Sequence, residues 1–222
     1  MKTTIKILCA TILVLTSFKS WSQNNDINEE FASGGFSSIK IGEQEWIVEN
    51  LNVERFRNGD LIPQAKTDAE WETAGYEGKP VWCYYENNAQ NNKKYGKLYN
   101  WYAVNDPRGL APDGWHIPNK NEWTTLIKHL GGKMVAGAKM KASDNWNKEG
   151  NGTNESGFNA IPAGDRDYAG SIGCIGLYSF WWSANESNSV DAIACSLSYK
   201  NNKVSINSFD KLSGFSVRCI KD

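Results

Sequence analysis

GWHIPNKNEWTTLIKHLGG, residues 114–132, decides how the chain is read. Trp115, His116 and Ile117 form a short apolar strand that Pro118 stops, because proline has no N–H to extend a ladder. Asn119 then stands at a helix N-cap, and Glu122 three places on completes a capping box. Trp123, Leu126, Ile127 and Leu130 recur at i, i+3, i+4 and i+7, which is one apolar stripe of a helix. Gly131 and Gly132 end it, since glycine takes a left-handed C-terminal position without strain.

Around this anchor the periodicity changes. Residues 38–41 and 45–48 predict a hairpin turning at 42–44, and 53–56 a further short strand before the Asn58-Gly59-Asp60 turn. Thr67 and Glu70 form a second capping box, opening a short helix that Gly75 closes. Residues 81–85, VWCYY, are rich in β-formers and predict a buried strand. Residues 95–104 carry apolar side chains at helical spacing and predict a short helix, as do 135–141. Residues 145–179 predict a long irregular loop, the kind of segment that is functional or wraps the core. Strands follow at 180–183 and 193–199, then a hairpin into 204–206 and a last strand at 215–219. In 193–199, large residues alternate with small ones, giving the strand one large face and one small face. Short antiparallel strands around a few central helices, with a long irregular region, make the fold class α+β.

The chain of 222 residues begins as a processing segment. Lys2 and Lys6 precede a mostly apolar run at 7–18, and Ser20-Trp21-Ser22 places small residues before a cut at Gln23. The run is shorter than the roughly 20 apolar residues a bilayer span needs, and no transmembrane segment is expected. Residues 1–22 are read as a signal peptide, 23–35 as a polar flexible leader, and 36–222 as one domain of an exported protein: periplasmic, cell-surface or secreted. Loss of Lys2, Lys6 and Lys19 moves the formal charge from −1 to −4, which excludes a dedicated nucleic-acid binder. Cys83, Cys174, Cys195 and Cys219 remain. In an exported chain they predict two disulfides among three possible pairings, with Cys83–Cys219 and Cys174–Cys195 preferred.

With these elements in place the chain resembles the Fibrobacter succinogenes major paralogous domain. IGEQEWIVENLN at 41–52, FRNGD at 56–60, KPVWCYY at 79–85, YGKLYNWYAVNDPRGLAPDGWHIPNKNEW at 95–123, NESGFNAIPAG at 154–164 and GFSVRC at 214–219 carry the likeness. More remotely, WHIPNKNEW with the terminal GFSVRC is similar to formylglycine-generating enzymes, whose C-type-lectin-like fold the likeness then implies here. The close cysteine pair that holds copper in those enzymes has no counterpart, and neither calcium signature of true C-type lectins occurs. No catalytic residue is assigned.

The candidate ligand-binding residues are therefore Trp146, Asn154, Glu155, Asp165, Arg166, Asp167, Tyr168 and Trp181, in or beside the long loop. Aromatic rings there suit sugar faces, whereas Trp46, Trp82, Trp115 and Trp123 are assigned to the core. No cofactor is committed, but Asp165 and Asp167 supply oxygen ligands of the kind calcium takes. His116 is expected to be a hydrogen-bonded structural residue and His129 a surface one. The functional expectation is a non-catalytic exported binding domain for a glycan or a surface protein. The rivals are an enzyme on the formylglycine-generating-enzyme-like fold and a structural component of a surface assembly. Titratable groups converging in a pocket would favour the enzyme, and aromatics on a shallow face the binding domain. An apolar patch or open strand edge would favour the assembly.

Overall fold

The anchor stretch folds as its residues dictate. The computed structural model describes residues 36–147 and 149–222, so the expected signal peptide and leader lie outside the described residues. Strand β5 (Trp115–His116) leads into helix α4 (Lys120–His129). Asn119 Oδ1 accepts the Asn121 and Glu122 N–H groups, and Glu122 Oε2 accepts the Asn119 N–H at 2.7 Å, closing the capping box. At the other end the Gly132 N–H reaches Ile127 O and the Gly131 N–H reaches Lys128 O, with both glycines at positive φ. These two bonds satisfy carbonyls the helix would otherwise leave open.

The remaining elements are β1 (Ser38–Ile41), β2 (Gln44–Ile47), α1 (Asp68–Tyr76), β3 (Trp82–Tyr84), α2 (Asn92–Tyr95), β4 (Lys97–Tyr99) and α3 (Trp101–Val104). After α4 come α5 (Ala136–Met140), β6 (Ala163–Arg166), β7 (Ile172–Ile175), β8 (Tyr178–Glu186), β9 (Asp191–Ser198), β10 (Ser205–Asp210) and β11 (Ile220–Lys221). They form an α+β fold with sheets β1-β2-β11-β5, β10-β9-β8-β6-β7 and the pair β3-β4. The predicted hairpin, both capping boxes, and the strands at β3, β8, β9 and β10 are present.

Four expectations need correction. Residues 53–56 form no strand; Arg55 only bridges Leu61 across the turn. Residues 95–104 are not one helix. Gly96 takes φ +73° against the Asn50 and Leu51 carbonyls, β4 follows, and Asn100 caps the separate α3 by accepting the Ala103 N–H. Residues 145–179 contain a hairpin, β6–β7, instead of being wholly irregular. The segment 215–219 is not a regular strand, because its backbone serves all three sheets in turn. Ser216 O and Phe215 O accept Trp182 and Tyr99, while Val217 O and Cys219 O accept Leu51 and Ile47.

The four cysteines among the described residues are free thiols, so the expected bridges are not formed. Cys83 packs in an apolar cluster under β3, and Cys219 in the main core. Cys195 on β9 and Cys174 on β7 are separated by β8 and β6, a distance of roughly 14 Å at 4.7–4.9 Å per strand, far beyond disulfide reach. Burial pushes the thiols up, to about 11 for Cys83 and Cys174 and about 12 for Cys219.

Two polar hubs tie the sheets together. Arg218 is buried, and its guanidinium donates to Asn50 Oδ1, Ile47 O, Phe158 O and Asn159 O. His116 bridges the chain end to the anchor helix, with Nδ1 and Nε2 each 2.8 Å from Asp222 Oδ1 and Glu122 Oε1. Burial pushes its pKa down, but the hydrogen bonds to the two carboxylates outweigh that and hold it above the ordinary value. A raised folded pKa contributes stability that is complete below the ordinary histidine value of about 6.5 and is lost as pH rises through the raised one. Thermal melts of the wild type and His116→Gln should therefore differ most near pH 6 and converge toward pH 9. A gap of equal size at both ends would contradict this assignment.

Candidate functional site

The small face of β9 builds the site. Ser196 and Ser198 stand opposite Phe180 and Tyr178 of β8, and Ser196 also opposes Ser205 of β10. Their short side chains leave a trough along the middle strand, with a ring wall on one flank and Ser205, Asn207 and Phe209 on the other. Its volume is about 390 Å³, and Asn201 and Lys203 complete its polar lining. The wall is braced from below. Phe180 stacks on Phe215 at 4.8 Å, Tyr178 stacks on Phe180 at 5.9 Å, and Phe209 meets Phe180 edge-on at 5.5 Å. Tyr178, Phe180 and Phe209 are each half-buried, so each offers ring surface while rooted in the core. The opposite face of β9 carries Cys195 and Leu197 into the core around Trp181.

The trough offers ring faces, serine hydroxyls, two amides and one ammonium. Among its lining residues none is a carboxylate or histidine, so no acid–base pair converges there. This donor set suits a neutral polyhydroxylated or flat apolar ligand held by stacking and fixed by hydrogen bonds. A second hollow, of about 420 Å³, lies beside α1 among Pro63, Ala65, Ala74 and Pro80. Both carboxylates in its lining are engaged, Glu70 in the helix cap and Glu77 in an ion pair with Lys79.

The sequence-predicted site residues do not meet at one place. Trp146 is only 4% exposed, with its indole N–H on Ala160 O and the Lys141 ammonium over its ring. Trp181 is fully buried and donates to Asn50 Oδ1. Both are core residues, contrary to expectation, because the segments carrying them fold inward against α5 and α4. Arg166 is fully buried too, bonding Gly170 O, Asn87 Oδ1 and, at 2.7 Å, Asp68 Oδ1, so it braces the β6–β7 hairpin to α1. Asn154 holds a turn by accepting the Asn159 N–H, and Glu155 pairs with Lys139. At the hairpin, Asp167 accepts the Ser171 N–H, Tyr168 is 56% exposed, and burial raises the Asp165 pKa. Among the described residues no three His, Cys, Asp or Glu side chains gather as a cation-ligand set.

The trough itself was foreshadowed only by the large–small alternation of β9. The family model of the Fibrobacter succinogenes major domain matches residues 39–221. The chain belongs to that family. No curated protein and no solved structure matches it. The family domain thus comprises all three sheets, and the trough lies within its matched span. Among the described residues of this family member, no helix is long and apolar enough to cross a membrane.

Proposed function

We propose that this protein is an exported, non-catalytic binding domain of C-type-lectin-like architecture whose β8–β9–β10 trough takes a neutral glycan. The observation that carries the reading is the braced aromatic wall beside a floor of serines, open to solvent and free of titratable carboxylates. Ring faces stack on the C–H faces of sugars, and hydroxyl and amide groups supply orientation. The architecture is supported by the N-terminal hairpin closing on the C-terminal strand β11, and by the long region between α5 and β8. Export rests on the basic, apolar and small-residue succession of residues 1–22.

A glycan-array screen of the purified protein, with and without chelator, tests this. Binding should be chelator-insensitive, because no carboxylate lines the trough. Tyr178→Ala should weaken it about tenfold, the equivalent of ~1.4 kcal/mol, for a lost stacking ring. Circular dichroism should show the variant folded, since Tyr178 sits at the rim. Absence of any glycan signal, or equal binding by folded Tyr178→Ala, would overturn the reading.

A further inference from the structure

We propose that the outer edge of β10 receives an extended, acid-bearing polypeptide segment as an additional strand of the five-stranded sheet. This inference does not depend on the glycan reading. β10 is a terminal strand of its sheet. Its ladder with β9 continues into the bond from the Lys211 N–H to Val190 O. In an antiparallel pair, alternate residues turn both backbone groups toward the partner. Ser205, Asn207 and Phe209 therefore face β9, while Ile206, Ser208 and Asp210 face outward. Two bonds agree with this phase: the Val204 N–H turns away to Lys133 O, and Asp210 O accepts the Ser213 N–H. The N–H and C=O groups of Ile206 and Ser208 have no protein partner among the described residues.

The middle of the edge is unguarded, since Lys133 and Lys203 stand only at its Val204 end. Natural sheets blunt such edges with proline, lysine or bulges; the strand reads Ser-Ile-Asn-Ser-Phe-Asp, and its register with β9 is unbroken. A hollow lies on each face beside it. One is the trough, on the side of Ser205, Asn207 and Phe209; the other, of about 320 Å³, is lined by Thr124, Ile127 and Ile206. An added strand sends successive side chains to opposite faces, so main-chain bonds would supply affinity and the two hollows selectivity. The charge of the occupant follows from Lys133 and Lys203. Both flank the Val204 end, and neither is in an ion pair among the described residues. An acidic residue of the incoming strand at that end neutralises them.

The test uses the full chain and a library of fluorescent heptapeptides that alternate Val, Thr and Tyr and carry Glu-Glu at either end. Members should bind saturably, and hydrogen exchange should slow at the Ile206 and Ser208 amides, with little change at Ser205, Asn207 and Phe209, already bonded to β9. Ser208→Pro removes an outward N–H without touching the ladder and should weaken binding about tenfold. Lys133→Glu with Lys203→Glu should weaken it similarly, whereas Tyr76→Ala, exposed on α1 and outside the lining of both hollows, should leave it intact. No binding by any library member, or binding without protection of Ile206 and Ser208, would overturn the proposal. So would a concentration-dependent dimer in which those amides are already protected, because the occupant would then be a second copy.

Discussion

Arg218→Met should be among the most destabilising single substitutions in this protein, lowering unfolding free energy by about 3–5 kcal/mol. The guanidinium is fully buried and has no carboxylate at hydrogen-bond distance; its charge is dispersed over four oxygens instead. Burial drives its pKa down to about 9, against the opposing pull of the Glu49 charge. Methionine fills part of the volume but leaves the Ile47, Phe158 and Asn159 carbonyls and Asn50 Oδ1 short of a donor. Asn50 is itself the acceptor for Trp181 Nε1 and a donor to Tyr95 O and Ser216 Oγ. Removing Arg218 therefore loosens the contact between the N-terminal hairpin, the segment around Phe158 and strand β8 together. Arg218→Lys should recover only a minor part, because a point ammonium cannot span a planar fork of acceptors. Urea unfolding followed by tryptophan fluorescence measures both variants. A loss below about 1 kcal/mol for the methionine variant would show that water readily replaces the guanidinium.

The contrast between this hub and the anchor helix explains what the sequence discloses. Asn119 and Glu122 lie three residues apart, and their capping box needs only local geometry, so it is legible in the letters. The same holds for Thr67 with Glu70 and for the hairpin at Gly42. Asn50 and Arg218 are 168 positions apart, and nothing local marks either as a hub. The misread helix at residues 95–104 shows a different failure. The apolar spacing of Leu98, Tyr99, Tyr102 and Ala103 is helical, but Gly96 and Asn100 partition it, and pairing of Leu98 with Cys83 overrides the spacing. Trp146 reads as a binding-surface residue because it lies in the long loop, where an aromatic has less core to enter. Its ring nevertheless reaches the core, since the turn around it is pinned by Asn151 Oδ1 accepting the Trp146 N–H. For the trough, the alternation of β9 gave the floor; the walls come from β8 and β10, and their placement depends on register, which no single strand encodes.

Trp123→Ala should produce a loss of similar size, about 3–5 kcal/mol, for a reason rooted in shape instead of charge. The ring lies among three other aromatics, 4.9 Å from Trp46, 6.0 Å from Phe158 and 6.2 Å from Trp181. Those neighbours are fully buried and belong to β2, the segment after α5, and β8. None can swing into the space without leaving its own contacts, so the cavity stays open. Trp123→Phe separates shape from polarity. The Trp123 Nε1 is buried without a hydrogen-bond partner among the described residues, so phenylalanine forfeits some contact area but breaks no bond and relieves a buried orphan donor. Its loss should be well under half that of the alanine variant. Trp181→Phe should be worse than Trp123→Phe, because Trp181 Nε1 donates to Asn50 Oδ1 and its removal disturbs the Arg218 hub. Equilibrium urea unfolding of the three variants provides the ranking. If Trp181→Phe proved milder than Trp123→Phe, the Asn50 hydrogen bonds would contribute less than the packing around them, and the large effect expected at Arg218 would weaken with it.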